Sequence, residues 1–100
     1  MRKSGVKLIT AERERQIRKE GWDKWHDDDH DLNEMAEAAR CYVKAAIQSD
    51  RKALRKTAGR GWLWEWEYWK PSENPIRNLV KAGALIAAEI DRLQRRKLYD

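Results

Sequence analysis

The chain has 100 residues, which is enough for one domain with one modest core. Charged residues make up 39% of it, and 22 Lys and Arg against 17 Asp and Glu give a formal net charge of +5. The longest apolar runs are far shorter than the roughly 18 residues of a membrane-spanning helix, and a single cysteine cannot form an internal disulfide. Composition therefore excludes a membrane-spanning protein, a disulfide scaffold and a multidomain enzyme.

The excess of positive charge favours anionic partners such as nucleotides, nucleic acid or acidic protein surfaces, or it serves solubility alone. The chain starts without a signal-peptide pattern, and its lone Cys41 suits a reducing compartment, so we expect a cytoplasmic protein. We expect Cys41 itself to be a small buried apolar residue.

The first predicted helix is short and strongly charged. Residues 1–9 are basic and are expected to form a flexible N-terminus. Thr10 is the predicted N-cap of a helix over residues 11–20, because Glu12 follows in the first turn, where the helix dipole favours acids. Gly21 is the predicted stop.

The second predicted helix starts at Asp31 and continues to about Gln48, because small and apolar residues recur at helical spacing after a polar connector, residues 22–30. Asp31 stands three residues before Glu34, as in a capping box. Ser49 and Asp50 can cap a further basic turn over residues 51–57.

An aromatic segment, residues 62–69, follows two helix-breaking glycines. Its sequence, Trp-Leu-Trp-Glu-Trp-Glu-Tyr-Trp, alternates in part at period two, but a lone strand would have no partner in a helical chain. We therefore expect an aromatic loop that packs across helices.

The last predicted helix begins at Asn74 and Pro75, an N-cap and first-turn pair. An apolar stripe from Ile76 to Leu93 extends it to at least Arg95. The sequence thus predicts an all-α fold, a small bundle of three main helices plus a Trp-rich loop, as a single helical domain over residues 1–100. Gly83, inside the stripe, is expected to permit close approach of another helix.

A cluster of His and Asp residues lies in the connector. His26, His30 and Glu34 are each four residues apart, so an early helix start would place them on one face as candidate ligands of a divalent metal. The alternative is that the carboxylates cap the second helix and pair with Lys and Arg. A third possibility is contact with a small molecule through His or Asp28.

Six Trp and no Phe make the aromatic composition unusual. Indole faces can stack on nucleobases and nearby cations can hold phosphates, whereas the alternative is an indole-built core. We expect half of the indoles in the core and at least one exposed for a ligand or a subunit contact. The candidate ligand-binding residues are Trp22, His26, Asp28, His30, Arg60, Trp64, Trp66, Trp69, Lys70 and Lys81.

Several short stretches resemble a small family found in phages and prophages. They are Glu20-Gly21-Trp22, residues 26–30, Glu34-Met35-Ala36, residues 38–42, Trp62-Leu63-Trp64, residues 68–71 and residues 79–93, so that the resemblance covers residues 11–93. Leu63 stands where the family has Pro and Tyr68 where it has Trp, which leaves the stiffness of the loop open. The resemblance implies a phage-borne cytoplasmic protein without implying a particular activity.

Two wider similarities are weaker. MazG-type nucleotide pyrophosphohydrolases are similar in being all-α with paired carboxylate motifs, and Glu34 with Glu37 matches one such motif. Glu89 is followed three residues later by Arg92, so the second motif fails. Gly21-Trp22, followed by Asp and His, loosely resembles the ryanodine-receptor repeat.

These observations favour a binding protein that sequesters an anionic nucleotide-like ligand, such as a cyclic nucleotide immune signal, and so counteracts host defence. It would need no cofactor and would form a homo-oligomer to complete its pocket. One alternative is a MazG-type hydrolase in which Mg²⁺ is held by Glu34, Glu37, Glu89 and Asp28. Another is an inhibitor that binds a host defence protein, and nucleic-acid binding is less favoured.

Overall fold

The computed structural model describes residues 2–21, 33–57 and 59–99. Within these ranges the chain forms three α-helices, α1 (Gly5–Lys19), α2 (Glu34–Ile47) and α3 (Pro75–Tyr99). Short 3-10 turns cover Arg51–Lys56, Gly59–Gly61 and Trp66–Tyr68, and none of the described residues is in a strand. The predicted all-α bundle with a Trp-rich loop is confirmed. No described helix combines the length and the apolar character needed to cross a membrane.

Helix α1 begins six residues earlier than predicted. The Ser4 hydroxyl caps it by accepting a hydrogen bond from the Lys7 backbone N–H at 3.2 Å. The predicted cap, Thr10, instead donates its hydroxyl to the Val6 carbonyl inside the helix, at 2.9 Å. The prediction of a flexible segment over residues 1–9 is therefore wrong from Gly5 onward, because Leu8 and Ile9 are half-buried.

Helix α2 ends within one residue of its predicted limit. Its start at Glu34 follows Asn33, which adopts a left-handed conformation with φ of 65° and makes no side-chain cap. The predicted cap, Asp31, lies outside the described residues. Cys41 is buried as predicted, and that burial raises the pKa of its thiol.

The core between α2 and α3 combines alanines and a few larger apolar side chains with two indoles. Trp62 and Trp69 are buried against Tyr42, with ring centroids 5.9 and 4.8 Å from the tyrosine ring. Both indoles satisfy their N–H groups on the backbone: Trp62 donates to the Glu65 carbonyl and Trp69 to the Arg55 carbonyl. The expectation that the aromatic segment packs across helices is confirmed.

Helix α3 packs against both α1 and α2. The Asn74 side chain accepts from the Ile76 N–H at 2.9 Å, as expected of an N-cap. A Cβ atom on Gly83 would stand 2.5 Å from Cδ1 of Ile9 on α1. The expected role of Gly83 in a close helix approach is therefore confirmed.

Candidate functional site

The predicted ligand-binding residues divide into three groups. Trp22, His26, Asp28 and His30 lie outside the described residues. Arg60 lies in the 3-10 turn Gly59–Gly61, and the remaining candidates lie on the aromatic segment, just after it and on α3.

Trp69 is not a ligand-stacking residue. Its side chain is 2% exposed, and its ring packs against Tyr42 and Trp62 in the core. The indole N–H also donates a hydrogen bond to the Arg55 carbonyl, which holds the ring in the core. Trp64 is half-buried edge-on against Trp62, at a centroid distance of 5.4 Å, whereas Trp66 is 58% exposed. Among the three predicted stackers, Trp66 offers the largest free ring.

Lys70 and Lys81 are brought together although they are eleven positions apart in the chain. The Lys81 Nζ donates to the Lys70 carbonyl at 2.7 Å and stands 5.4 Å from the centroid of the Tyr42 ring. The Lys70 N–H donates to the Tyr42 hydroxyl at 3.3 Å. Burial lowers the pKa of Lys81, and the positive charge of Arg77 lowers it further.

These two lysines line a small polar cavity between α1, α2 and the aromatic segment. Its volume is about 20 Å³, so it admits a group the size of one water molecule or one hydroxyl. The other lining side chains are Glu12, Arg15, Gln16, Glu20, Tyr42 and Tyr68.

Gln16 leaves an unsatisfied hydrogen-bond acceptor at this cavity. The residue is 2% exposed, and its Nε2 donates to Glu12 at 3.1 Å. Its Oε1 is buried without a hydrogen-bond partner. A buried polar atom in this state costs about 1–3 kcal/mol. Because Oε1 is closed off from solvent, it supplies no contact for a molecule in the cavity.

The charged groups around the cavity are connected through Glu12. Its carboxylate accepts from Arg15 at 2.8 Å and from Arg77 at 2.7 Å, and Arg15 also reaches Glu20 at 3.2 Å. Burial alone would raise the pKa of Glu12, but the hydrogen bonds and charges of the two arginines outweigh it and lower that pKa.

The balance of these charges is positive. Arg15, Arg77, Lys70 and Lys81 are four cations, and Glu12 and Glu20 are two carboxylates, so these six groups carry a net charge of +2. An anionic group at the mouth of the cavity would be attracted by this excess.

The described carboxylates of the hydrolase alternative do not gather into a metal site. Glu37 forms an ion pair with Arg40 at 3.4 Å, and the buried Glu89 is bound by Arg92. Among the described residues, no three metal-ligating side chains lie close enough to hold an ion, so Glu34, Glu37 and Glu89 do not form a metal site by themselves. Asp28, the fourth predicted Mg²⁺ ligand, lies outside the described residues. His26 and His30, the other metal candidates, lie outside the described residues.

Sequence reasoning did not identify the contribution of α1 to the cavity. Glu12 and Gln16 were hard to recognise because a helix with so many charges has no apolar stripe to mark its buried face. The usable signal is their spacing of four residues, which puts both on one face of α1.

Comparison with protein-family models, curated proteins and solved structures finds no match to this chain. What the cavity can bind therefore follows from its own side chains.

Proposed function

We propose that the protein binds and sequesters a small anionic nucleotide-like ligand at the cavity between α1 and the aromatic segment. The observation that carries the proposal is a small cavity lined by charged and polar side chains, with a surplus of positive charge around it. A nucleotide supplies an anionic phosphate, which suits this surplus.

The size of the cavity limits how such a ligand sits. At about 20 Å³ it takes a single hydroxyl or phosphoryl oxygen, so most of the ligand remains at the mouth. There Lys70 and Lys81 would hold the phosphate. The exposed rings of Trp66 and Tyr68, at the two ends of one 3-10 turn, provide stacking surface for a base.

Sequestration fits this arrangement better than catalysis does. The cations and rings hold a ligand, whereas the described carboxylates near the cavity are occupied by arginines. In an infected cell, a phage-borne protein of this kind would remove a nucleotide immune signal, such as a cyclic nucleotide, and so counteract host defence.

The test is calorimetric titration of the chain with cyclic oligonucleotides, cyclic ADP-ribose isomers and the matching uncharged nucleosides. We expect at least one phosphorylated ligand to bind and the nucleosides to bind at least about tenfold more weakly, because they lack the charge that Lys70 and Lys81 attract. Absence of binding across the phosphorylated ligands would refute the proposal.

A pair of matched variants locates the site. Lys81→Gln removes the half-buried charge at the cavity and should weaken binding at least about tenfold. Lys44→Gln removes an exposed charge on α2 and should leave the affinity unchanged. Equal affinities of the two variants would place the ligand elsewhere, and circular dichroism checks that both remain folded.

A further inference from the structure

The outer face of the α2–α3 pair exposes a row of aliphatic side chains. Five residues of α3 are between 45% and 61% exposed, and Val43 and Ile47 of α2 are exposed beside them. We call this set the aliphatic face, and its members on α3 are Ile76, Leu79, Ile86, Ile90 and Leu93.

A groove runs between the two helices on this face. Its volume is about 270 Å³, and Ala36, Ala39 and Val43 of α2 line it opposite Ile86 and Ile90 of α3. The two charged side chains in its lining are Arg40, which pairs with Glu37, and Glu89, which is bound by Arg92. The groove is therefore lined mainly by apolar side chains, and both of its charged side chains already have a partner of opposite charge.

The spacing on α3 is that of a helix–helix contact. Successive members are three, seven, four and three residues apart, which is the heptad alternation of a coiled-coil seam with one position missing. That position is Gly83, which is covered by Ile9 of α1. About half of each large aliphatic side chain in this row stays exposed in the single chain, because the opposite face of α3 forms the core.

We propose that the aliphatic face binds a second copy of this chain in an antiparallel, two-fold symmetric dimer. The same surface supplies both parts of such a contact, because the ridge of α3 residues on one copy fits the α2–α3 groove of the other. The two helix pairs together would form a four-helix arrangement.

Charge determines the direction of pairing. The C-terminal part of α3 carries Arg95 and Arg96, and the chain just before α3 carries the exposed Glu73. Parallel pairing would bring the two arginine-rich ends together, whereas antiparallel pairing separates them. Antiparallel helices also oppose their macrodipoles favourably.

The area of the face matches a reversible dimer. From Ile76 to Leu93 the row is about 26 Å long, and two adjacent helices are about 20 Å wide, so each copy contributes about 500 Å². A dimer would then bury about 1,000 Å², at the low end of specific interfaces, which predicts exchange with monomers rather than a permanent assembly.

Sedimentation velocity over a concentration series tests the association. We expect the mass of the wild-type chain to rise toward twice that of one chain as concentration increases. Ile90→Glu should raise the dissociation constant at least about 100-fold, because by symmetry each dimer loses two apolar contacts and gains two carboxylates. Val6→Glu, which places the same charge at an exposed apolar site on α1, should not change it.

A wild-type chain that stays monomeric up to about 1 mM would overturn the proposal, as would equal dissociation constants for Ile90→Glu and Val6→Glu. Because the aliphatic face is separate from the polar cavity, Ile90→Glu should still bind the nucleotide ligand as the wild type does. The dimer and the ligand site can therefore fail independently.

Cysteine cross-linking tests the symmetry. Near the centre of the row, Ile86→Cys should link to its own copy under mild oxidation, whereas Ile76→Cys should not, because antiparallel pairing puts those two sites more than about 20 Å apart. The wild-type chain, with its buried Cys41, is the control. Equal linking of the two variants would contradict antiparallel pairing.

Discussion

Glu12 is a carboxylate buried under α1 and held by two arginines, Arg15 and Arg77. Because its pKa is lowered on folding, the unfolded chain binds more protons than the folded one as the pH falls through the ordinary value of 4.5. The stability that Glu12 contributes is therefore complete above that pH and is lost below it. Glu12→Gln should cost about 2 kcal/mol at neutral pH, since both arginines stay partly solvated, and progressively less in acid. Urea unfolding over a pH series measures this difference.

The matched control at the residue scale is Glu14→Gln. Glu14 lies on the solvent side of the same helix and forms a 3.6 Å ion pair with Arg18, in which both side chains are largely exposed. Such pairs contribute about 0–1 kcal/mol, so this variant should differ little from wild type at any pH. A destabilisation by Glu12→Gln that is the same at neutral and acidic pH would contradict the role assigned to the ionised carboxylate.

At the scale of elements, Gly83 sets how closely α1 lies on α3. In an exposed helix, Gly83→Ala would stabilise by about 1 kcal/mol, but here the new Cβ would stand 2.5 Å from Ile9 Cδ1. We expect Gly83→Ala to destabilise the wild-type chain by about 1–2 kcal/mol and to stabilise an Ile9→Ala chain by about 1 kcal/mol. Thermal unfolding of the four chains in this double-mutant cycle measures the coupling.

A control for this cycle is Gly5→Ala, since no atom lies within 4 Å of the position of its Cβ. Gly5→Ala should change the stability by the same amount in the wild-type chain and in the Ile9→Ala chain. If Gly83→Ala also changed the stability equally in these two chains, the close contact between α1 and α3 would not limit the size of the side chain at position 83.

The elements differ in how far the sequence predicts them, and packing explains the difference. The end of α2 and the start of α3 are predicted to within a residue, because apolar spacing and caps such as Asn74 mark them clearly. The start of α1 is missed because only Leu8 and Ile9 are half-buried among its first six residues, which is too short a stretch to show helical spacing.

The same reasoning applies to the site. The pairing of Lys70 with Lys81 confirms that two candidate residues lie together. Trp69 was wrongly predicted to contact a ligand, since a sequence does not distinguish an indole in the core from one at the surface. The cavity itself depends on buried polar groups of three separate segments, and no local pattern in the chain predicts such a meeting.

At the scale of the whole molecule, the three helices are not held equally. Helices α2 and α3 share the apolar core, whereas the fully buried side chains of α1 are the polar Glu12 and Gln16. Ion pairs and hydrogen bonds of this kind contribute less than apolar burial, so α1 should open before the α2–α3 pair does. Hydrogen exchange should therefore show α1 amides exchanging faster than those of α2, at a rate that exceeds global unfolding.

A ligand in the cavity would change this order. The cavity is lined by α1 residues such as Arg15 and Gln16 on one side and by Tyr42 and Lys81 on the other, so a bound molecule joins α1 to the rest of the fold. We expect a saturating nucleotide ligand to slow exchange in α1 far more than in α2, because opening of α1 then requires release of the ligand. Equal exchange rates of α1 and α2 without ligand would show that α1 is held as firmly as the core. Protection spread evenly over both helices would show that the ligand does not join α1 to the rest of the fold.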